Sequence, residues 1–166
     1  EPGSTVNITG SKGSEFAQLP FGGSTATSSN ALGLQFTYKL TDKFILGGWG
    51  SYFNANAESS PSVNVLSGEA GADADIWSWA ITASWKDVGK LGSQLSFVFG
   101  MPPKVTNNDV IEREDEDTSL HFELSYRYPL NDRIFITPGF LVITNPEHNA
   151  DNDTTWIGLM RTSFSF

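Results

Sequence analysis

From Ser119 to Tyr128 polar and apolar side chains alternate without a break: Ser119, His121, Glu123, Ser125 and Arg127 against Leu120, Phe122, Leu124, Tyr126 and Tyr128. Successive side chains of a strand point to opposite faces, so this period of two predicts a strand with one apolar and one charged face. At about ten residues it is longer than the usual strand of a globular domain and matches what a tilted strand needs to cross a bilayer. The apolar face therefore meets either a protein core or lipid.

The same period recurs along the chain. Residues 1–30 are rich in Gly, Ser, Thr and Asn and read as a loop-rich external segment, with short strands expected at Thr5–Thr9 and near Phe16–Leu19. A first long strand sets Leu32, Leu34, Phe36, Tyr38 and Leu40 against Gly33, Gln35, Thr37 and Lys39, and ends in a tight turn at Thr41-Asp42-Lys43. The second, Phe44 to Asn56, has Ile45, Gly47, Trp49, Phe53 and Ala55 as the expected outer set. The third, Asp75 to Lys86, aligns Trp77, Trp79, Ile81, Ala83 and Trp85. The fourth aligns Leu91, Leu95, Phe97 and Phe99 until Pro102-Pro103, where pairing is expected to stop. After the opening stretch come Arg133 to Thr144, broken by Pro138-Gly139, and a last strand with Trp156, Gly158, Met160, Thr162, Phe164 and Phe166 on one face.

Seven strands follow, joined alternately by short turns (41–43, 87–90, 131–132) and long polar loops (57–72, 104–117, 145–153). Outer-membrane barrels alternate in this way, with short periplasmic turns and long external loops. With the C-terminus on the periplasmic side, every short turn falls there too. The competing fold is a soluble antiparallel β-sandwich acting as a binding module, whose strands also alternate. Aromatic residues separate the two: Trp77, Trp85, Tyr126, Tyr128, Trp156, Phe164 and Phe166 lie toward strand ends, as a lipid-facing girdle requires. The expected fold is all-β, an antiparallel up-and-down transmembrane β-barrel. A barrel must close, and single-chain bacterial barrels have an even number of at least eight strands, so residues 31–166 read as the C-terminal strands of a larger barrel.

Composition changes this picture little. Charged residues are 17% of the 166, with a net charge of −9, but most acids fall in the loops, and the balance argues against nucleic acid. Cysteine is absent, which removes disulfides and thiolate metal sites. No apolar run is long enough for a spanning helix, and a mean hydropathy of −0.22 fits strands that are apolar on one side only. Glu1-Pro2-Gly3-Ser4 does not read as a signal peptide, so a processed chain or a fragment is expected.

The last third carries a family pattern. Ile136-Thr137-Pro138-Gly139-Phe140, Ile143-Thr144-Asn145-Pro146-Glu147-His148-Asn149 and Asp151-Asn152-Asp153-Thr154, before a strand that ends in an aromatic residue, resemble the carboxyl end of cyanobacterial outer-membrane porins. These belong with the OprB-type carbohydrate-selective porins and are often labelled iron-uptake porins. The resemblance implies a barrel of about 16 strands, a homotrimer and passive transport of carbohydrates or inorganic ions. It also implies a cell-wall-binding domain and a helical linker before the barrel; neither lies within these residues, so cell-wall anchoring is not carried over.

In such a barrel the polar faces line a water-filled lumen. Lys39, Lys86, His121, Glu123, Arg127 and Arg161 are the expected pore-lining set, a mixed-charge filter for small hydrophilic solutes. Pairing of Glu123 with Arg127, or of either with Arg161, as braces between strands is the plainer reading of the same charges. Glu147, Asp151 and Asp153 offer oxygen ligands of the kind Ca²⁺ takes but lack EF-hand spacing, so no cofactor is expected. Ser119, His121 and Glu123 repeat along one strand at about 7 Å, too collinear for a catalytic set, and no enzyme is expected. A structural barrel with a closed lumen is the remaining alternative; Gly48, Gly50, Gly92 and Gly100 are read as lightening the inner face.

Overall fold

The computed structural model describes residues 7–60 and 69–166. Within them seven strands form one sheet in chain order, every neighbouring pair antiparallel: β1 (Thr27–Lys39), β2 (Phe44–Ala57), β3 (Asp73–Lys86), β4 (Gln94–Asn108), β5 (Leu120–Asn131), β6 (Ile134–Thr144) and β7 (Thr155–Phe164). The strands are 10 to 15 residues long, at or above the length that crosses a bilayer at a tilt. No second sheet covers either face among the described residues, which removes the sandwich.

Local chemistry sets the three tight connections. Thr41 Oγ1 accepts the Phe44 N–H at 2.9 Å, and Asn131 Oδ1 accepts the N–H groups of both Arg133 and Ile134 at 2.9 Å. Between β3 and β4, Asp87 Oδ1 accepts the Gly92 N–H at 2.8 Å. That bond, with Lys43 3.4 Å away, holds the Asp87 carboxyl below its usual pKa.

Cross-strand partners share a face, so the register decides what each face holds. Leu32, Leu34, Phe36 and Tyr38 stand opposite Tyr52, Gly50, Gly48 and Leu46, which stand opposite Trp77, Trp79, Ile81 and Ala83. The aromatic-rich face continues through Phe97 and Phe99, Leu124 and Phe122, Phe140 and Val142, to Gly158 and Trp156. This inverts the expectation for β2: Ile45, Gly47, Trp49, Phe53 and Ala55 lie on the polar face, while Gly48 and Gly50 lie on the aromatic-rich face. Both faces of β2 carry apolar residues, so its own pattern is ambiguous and only the neighbours resolve it.

Two further expectations are corrected. Pairing of β3 with β4 does not stop at Pro102-Pro103: Met101 pairs with Trp79 and Lys104 with Trp77, so the two prolines oppose Ser78 as a bulge and the strand runs on to Asn108. Pairing with β5 does stop, at Gly100 opposite His121, because proline has no N–H to donate. The stretch near Phe16–Leu19 is a helical turn, α1 (Glu15–Gln18), capped by Ser14 Oγ, which accepts the Ala17 N–H. Of the strand expected at Thr5–Thr9, residues 5 and 6 lie outside the described residues and Asn7 to Thr9 are not in a strand.

The buried apolar groups sit where residues 8–21 lie on the polar face of β2, β3 and β4 at their long-loop end. Phe21 packs with Ala55, Ala57 and Ala74; Ala17 packs with Ile76 and Val105; Ile8, Phe16 and Phe53 flank them. Burying a Phe contributes about 1.5–3 kcal/mol, enough to seat a segment that has little secondary structure of its own.

Candidate channel wall and loop junction

On the polar face one row reads Gln35, Trp49, Ala80, Gly100, His121, Ile143 and Thr155 across β1 to β7. One step nearer the short turns the row is Thr37, Gly47, Thr82, Val98, Glu123, Leu141 and Ile157. Lys86 faces Gln94, which faces Arg127, and Arg161 faces Thr137. All six charged residues expected on one face are therefore on one face. They are not braced as the plainer reading had it. Lys39 pairs with Asp42 of its own turn at 2.7 Å, and Arg127 lies over the Phe135 ring at 3.6 Å. Among the described residues no carboxylate reaches salt-bridge distance of Lys86, Arg127 or Arg161. His121 and Glu123 lean together to 3.7 Å, closer than their backbone spacing suggested, while Ser119 Oγ donates to the Thr144 carbonyl instead.

The aromatic residues named as a girdle all sit on the other face or at its margin. Tyr52 and Trp77 meet at a tilt near one edge with ring centroids 4.7 Å apart, and Phe140 and Trp156 likewise at 5.5 Å. Near the short turns, Phe44 meets Trp85 edge-on and Tyr126 neighbours Tyr128. Lys90 reaches over the Tyr128 ring at 4.7 Å and donates to the Pro129 carbonyl. Phe164 and Phe166 are exposed at the end of β7. Aromatic rings are not confined to the edges: Trp79, Phe99 and Phe122 run through the middle at 5.4 and 4.5 Å.

At the opposite end the long loops close on residues 8–21 through buried polar groups that the sequence pattern did not single out. Asp115 Oδ2 accepts the Ser14 hydroxyl and the Val105 N–H, both at 2.7 Å. The bulge leaves the Pro103 carbonyl outside the ladder with β5; it accepts the Ser14 N–H at 3.3 Å and lies 3.0 Å from His148 Nε2. The Ser119 N–H can only donate, and it points at His148 Nδ1 at 2.8 Å. Nδ1 is therefore the bare nitrogen, and Nε2–H donates to Pro103. Burial pushes the His148 pKa down to about 4 and the Asp115 carboxyl up to about 6. Arg113 donates to the carbonyls of Leu19 and Pro20 and covers the Phe16 ring, and its burial lowers its pKa.

A cavity of about 420 Å³ opens beside this junction, lined by Glu15, Glu112, Glu114, Glu116 and Glu147 among others. Glu147 Oε2 accepts the Glu15 N–H at 2.7 Å. Glu147, Asp151 and Asp153 are not gathered into a ligand set: among the described residues no three His, Asp or Glu side chains stand close enough to hold a metal ion.

A single up-and-down sheet of long strands, aromatic-rich on one face and carrying the strand charges among mixed side chains on the other, is the wall of a membrane barrel rather than a packed domain. The chain belongs to the OprB family of carbohydrate-selective porins, which matches residues 2–166. It is similar to an uncharacterized protein of Synechocystis sp., sll0772, at 35% identity over 99% of this chain and 32% of that protein. It is also similar to an uncharacterized protein of Nostoc sp., alr4550, at 31% identity over 85% of this chain and 22% of that protein. The chain thus spans about a third or less of the curated relatives it matches. No solved structure matches.

Proposed function

We propose that these strands are part of a porin in the bacterial outer membrane through which small hydrophilic solutes, carbohydrates foremost, diffuse passively. The observation that carries the reading is the register. It sorts side chains across all seven strands into one face with exposed Leu34, Trp77, Trp156 and Met160 and one face with Lys86, Glu123, Arg127 and Arg161. The first turns to lipid and the second to water. Lys39, Lys86, His121, Glu123, Arg127 and Arg161 line the passage; the short turns and the C-terminus are periplasmic. Residues 8–21 then lie inside the outer mouth and narrow it, held by Phe21, Ala17 and the Ser14–Asp115 bond. No covalent step or energy source is involved, and the subunits associate as a homotrimer, as the family resemblance suggests.

The test is the full-length protein in planar lipid bilayers: stepwise conductance is expected, and inorganic ions report the open lumen. A protein that binds detergent and shows β-rich circular dichroism yet never conducts would instead be the closed structural barrel.

A further inference from the structure

Trp49 stands on the polar face of β2 and 44% of it is exposed, whereas Phe53, the other large aromatic of that face, packs against the cluster under residues 8–21. The row neighbours of Trp49 are Gln35 on one side and Ala80 then Gly100 on the other, so nothing bulky stands against its ring along the sheet. A cavity of about 340 Å³ is lined by Trp49 with Gln35, Thr37, Gly47 and Thr82, and by Phe36 and Gly48, the next residues along β1 and β2, within the range of small-molecule clefts. Gly47 is its floor. A Cβ there would meet Thr82 Oγ1 at 2.7 Å and Thr37 Oγ1 at 3.7 Å, so two hydroxyls converge over the bare backbone. The cavity has no ionisable lining residue.

We propose that Trp49, Gln35, Thr37 and Thr82 form a binding subsite for the ring of a neutral sugar. This rests on the reading of the polar face as the channel wall. An indole face carries negative quadrupole charge, and the C–H groups on one side of a pyranose are polarised positive by their oxygens, so the two stack. The Gln35 amide and the two threonine hydroxyls both donate and accept, as sugar hydroxyls do. The base of a nucleotide also stacks on Trp, but the nucleotide's phosphate needs cationic side chains, and the cavity provides none. The subsite lies just inside the seat of residues 8–21 on Phe53, Ile76 and Val105, so a solute leaving the narrowed mouth meets it next.

The experiment is maltose titration of the ion current through the full-length channel, each variant normalised to its own open current. Sorbitol, which has the hydroxyls without the ring, is the control. Saturable block by maltose and none by sorbitol is expected. In Trp49→Ala the maltose dissociation constant should rise about tenfold or more, with Trp49→Phe recovering much of the loss and Thr82→Val falling between. Block that is unchanged in Trp49→Ala overturns the subsite, as does a conducting wild-type channel that maltose never blocks. Absence of conductance altogether overturns the channel reading itself and the subsite with it.

Discussion

His148 and Asp115 show how burial turns ordinary side chains into structural parts. Each is almost wholly enclosed, and each titrates in a direction that opposes the other. A carboxyl raised to about 6 makes the folded junction lose stability as pH climbs from about 4 to 6, because the unfolded chain releases the proton earlier. A histidine lowered to about 4 makes the junction lose stability as pH falls from about 6.5 to 4, because the unfolded chain takes the proton earlier. At 1.36 kcal/mol per pH unit each amounts to about 3 kcal/mol, so between pH 4 and 6 they nearly cancel. Asp115→Asn leaves His148 alone. Its local opening energy, read from amide exchange at Val105 and Ser119, should then rise by about 3 kcal/mol from pH 4 to 6.5, where the wild type is nearly flat. Equal slopes in the two proteins would refute the assignment. A second residue-scale test concerns Gly100, where a Cβ would sit 2.3 Å from the Trp79 carbonyl oxygen. Gly100→Ala should cost about 1–3 kcal/mol, seen as a lower thermal midpoint in detergent.

Among the elements β4 does most to shape the molecule. Its two prolines end pairing with β5 while the ladder with β3 runs on, and the Pro103 carbonyl, outside the β5 ladder, becomes an anchor for the Ser14 N–H and for His148. The segment that carries α1 approaches so closely that a Cβ on Gly13, whose φ is +76°, would lie 2.2 Å from the Pro103 oxygen. Gly13→Ala therefore combines a left-handed backbone with a clash, and should lift the segment from its seat while leaving the strands paired. In bilayers that variant should conduct more than the wild type, with noisier current. An unchanged conductance would show that residues 8–21 do not narrow the passage.

Across the whole molecule charge is sorted by height. The short-turn end holds Lys39, Lys43, Lys86, Lys90, Arg127, Arg133 and Arg161 against Asp42, Asp87 and Asp132. The long-loop end holds Glu15, Glu58, Asp73, Asp109, Glu112, Glu114, Asp115, Glu116, Asp117, Glu147, Asp151 and Asp153 against Lys12, Lys104 and Arg113. In the channel proposed above, an acidic long-loop end would concentrate cations and a basic short-turn end would concentrate anions. A channel built this way should pass more current at one polarity than at the other in dilute salt. The asymmetry should fade near 1 M, where the screening length is about 3 Å. Replacing Lys86, Arg127 and Arg161 by Gln together should flatten the current–voltage curve; a triple variant as asymmetric as the wild type would place the cause elsewhere.

Strand number, order and the alternation of short and long connections were legible in the chain, because a period of two and turn residues such as Asn131 and Asp87 act through near neighbours. So was the gathering of Lys39, Lys86, His121, Glu123, Arg127 and Arg161 on one face, since parity along a strand carries over wherever the strand itself is clearly two-sided. The family, too, was legible in the run from Ile136 to Thr154. What the sequence did not determine depends on partners far along the chain. The side on which Trp49 stands follows from its pairing with Gln35 and Ala80, not from the mixed pattern of β2. The seat of residues 8–21 follows from small side chains at Ala55 and Ala74 and from a proline bulge about ninety residues later, contacts with no local period to announce them. The titration of His148 and Asp115 likewise arises only when three loops meet and exclude water.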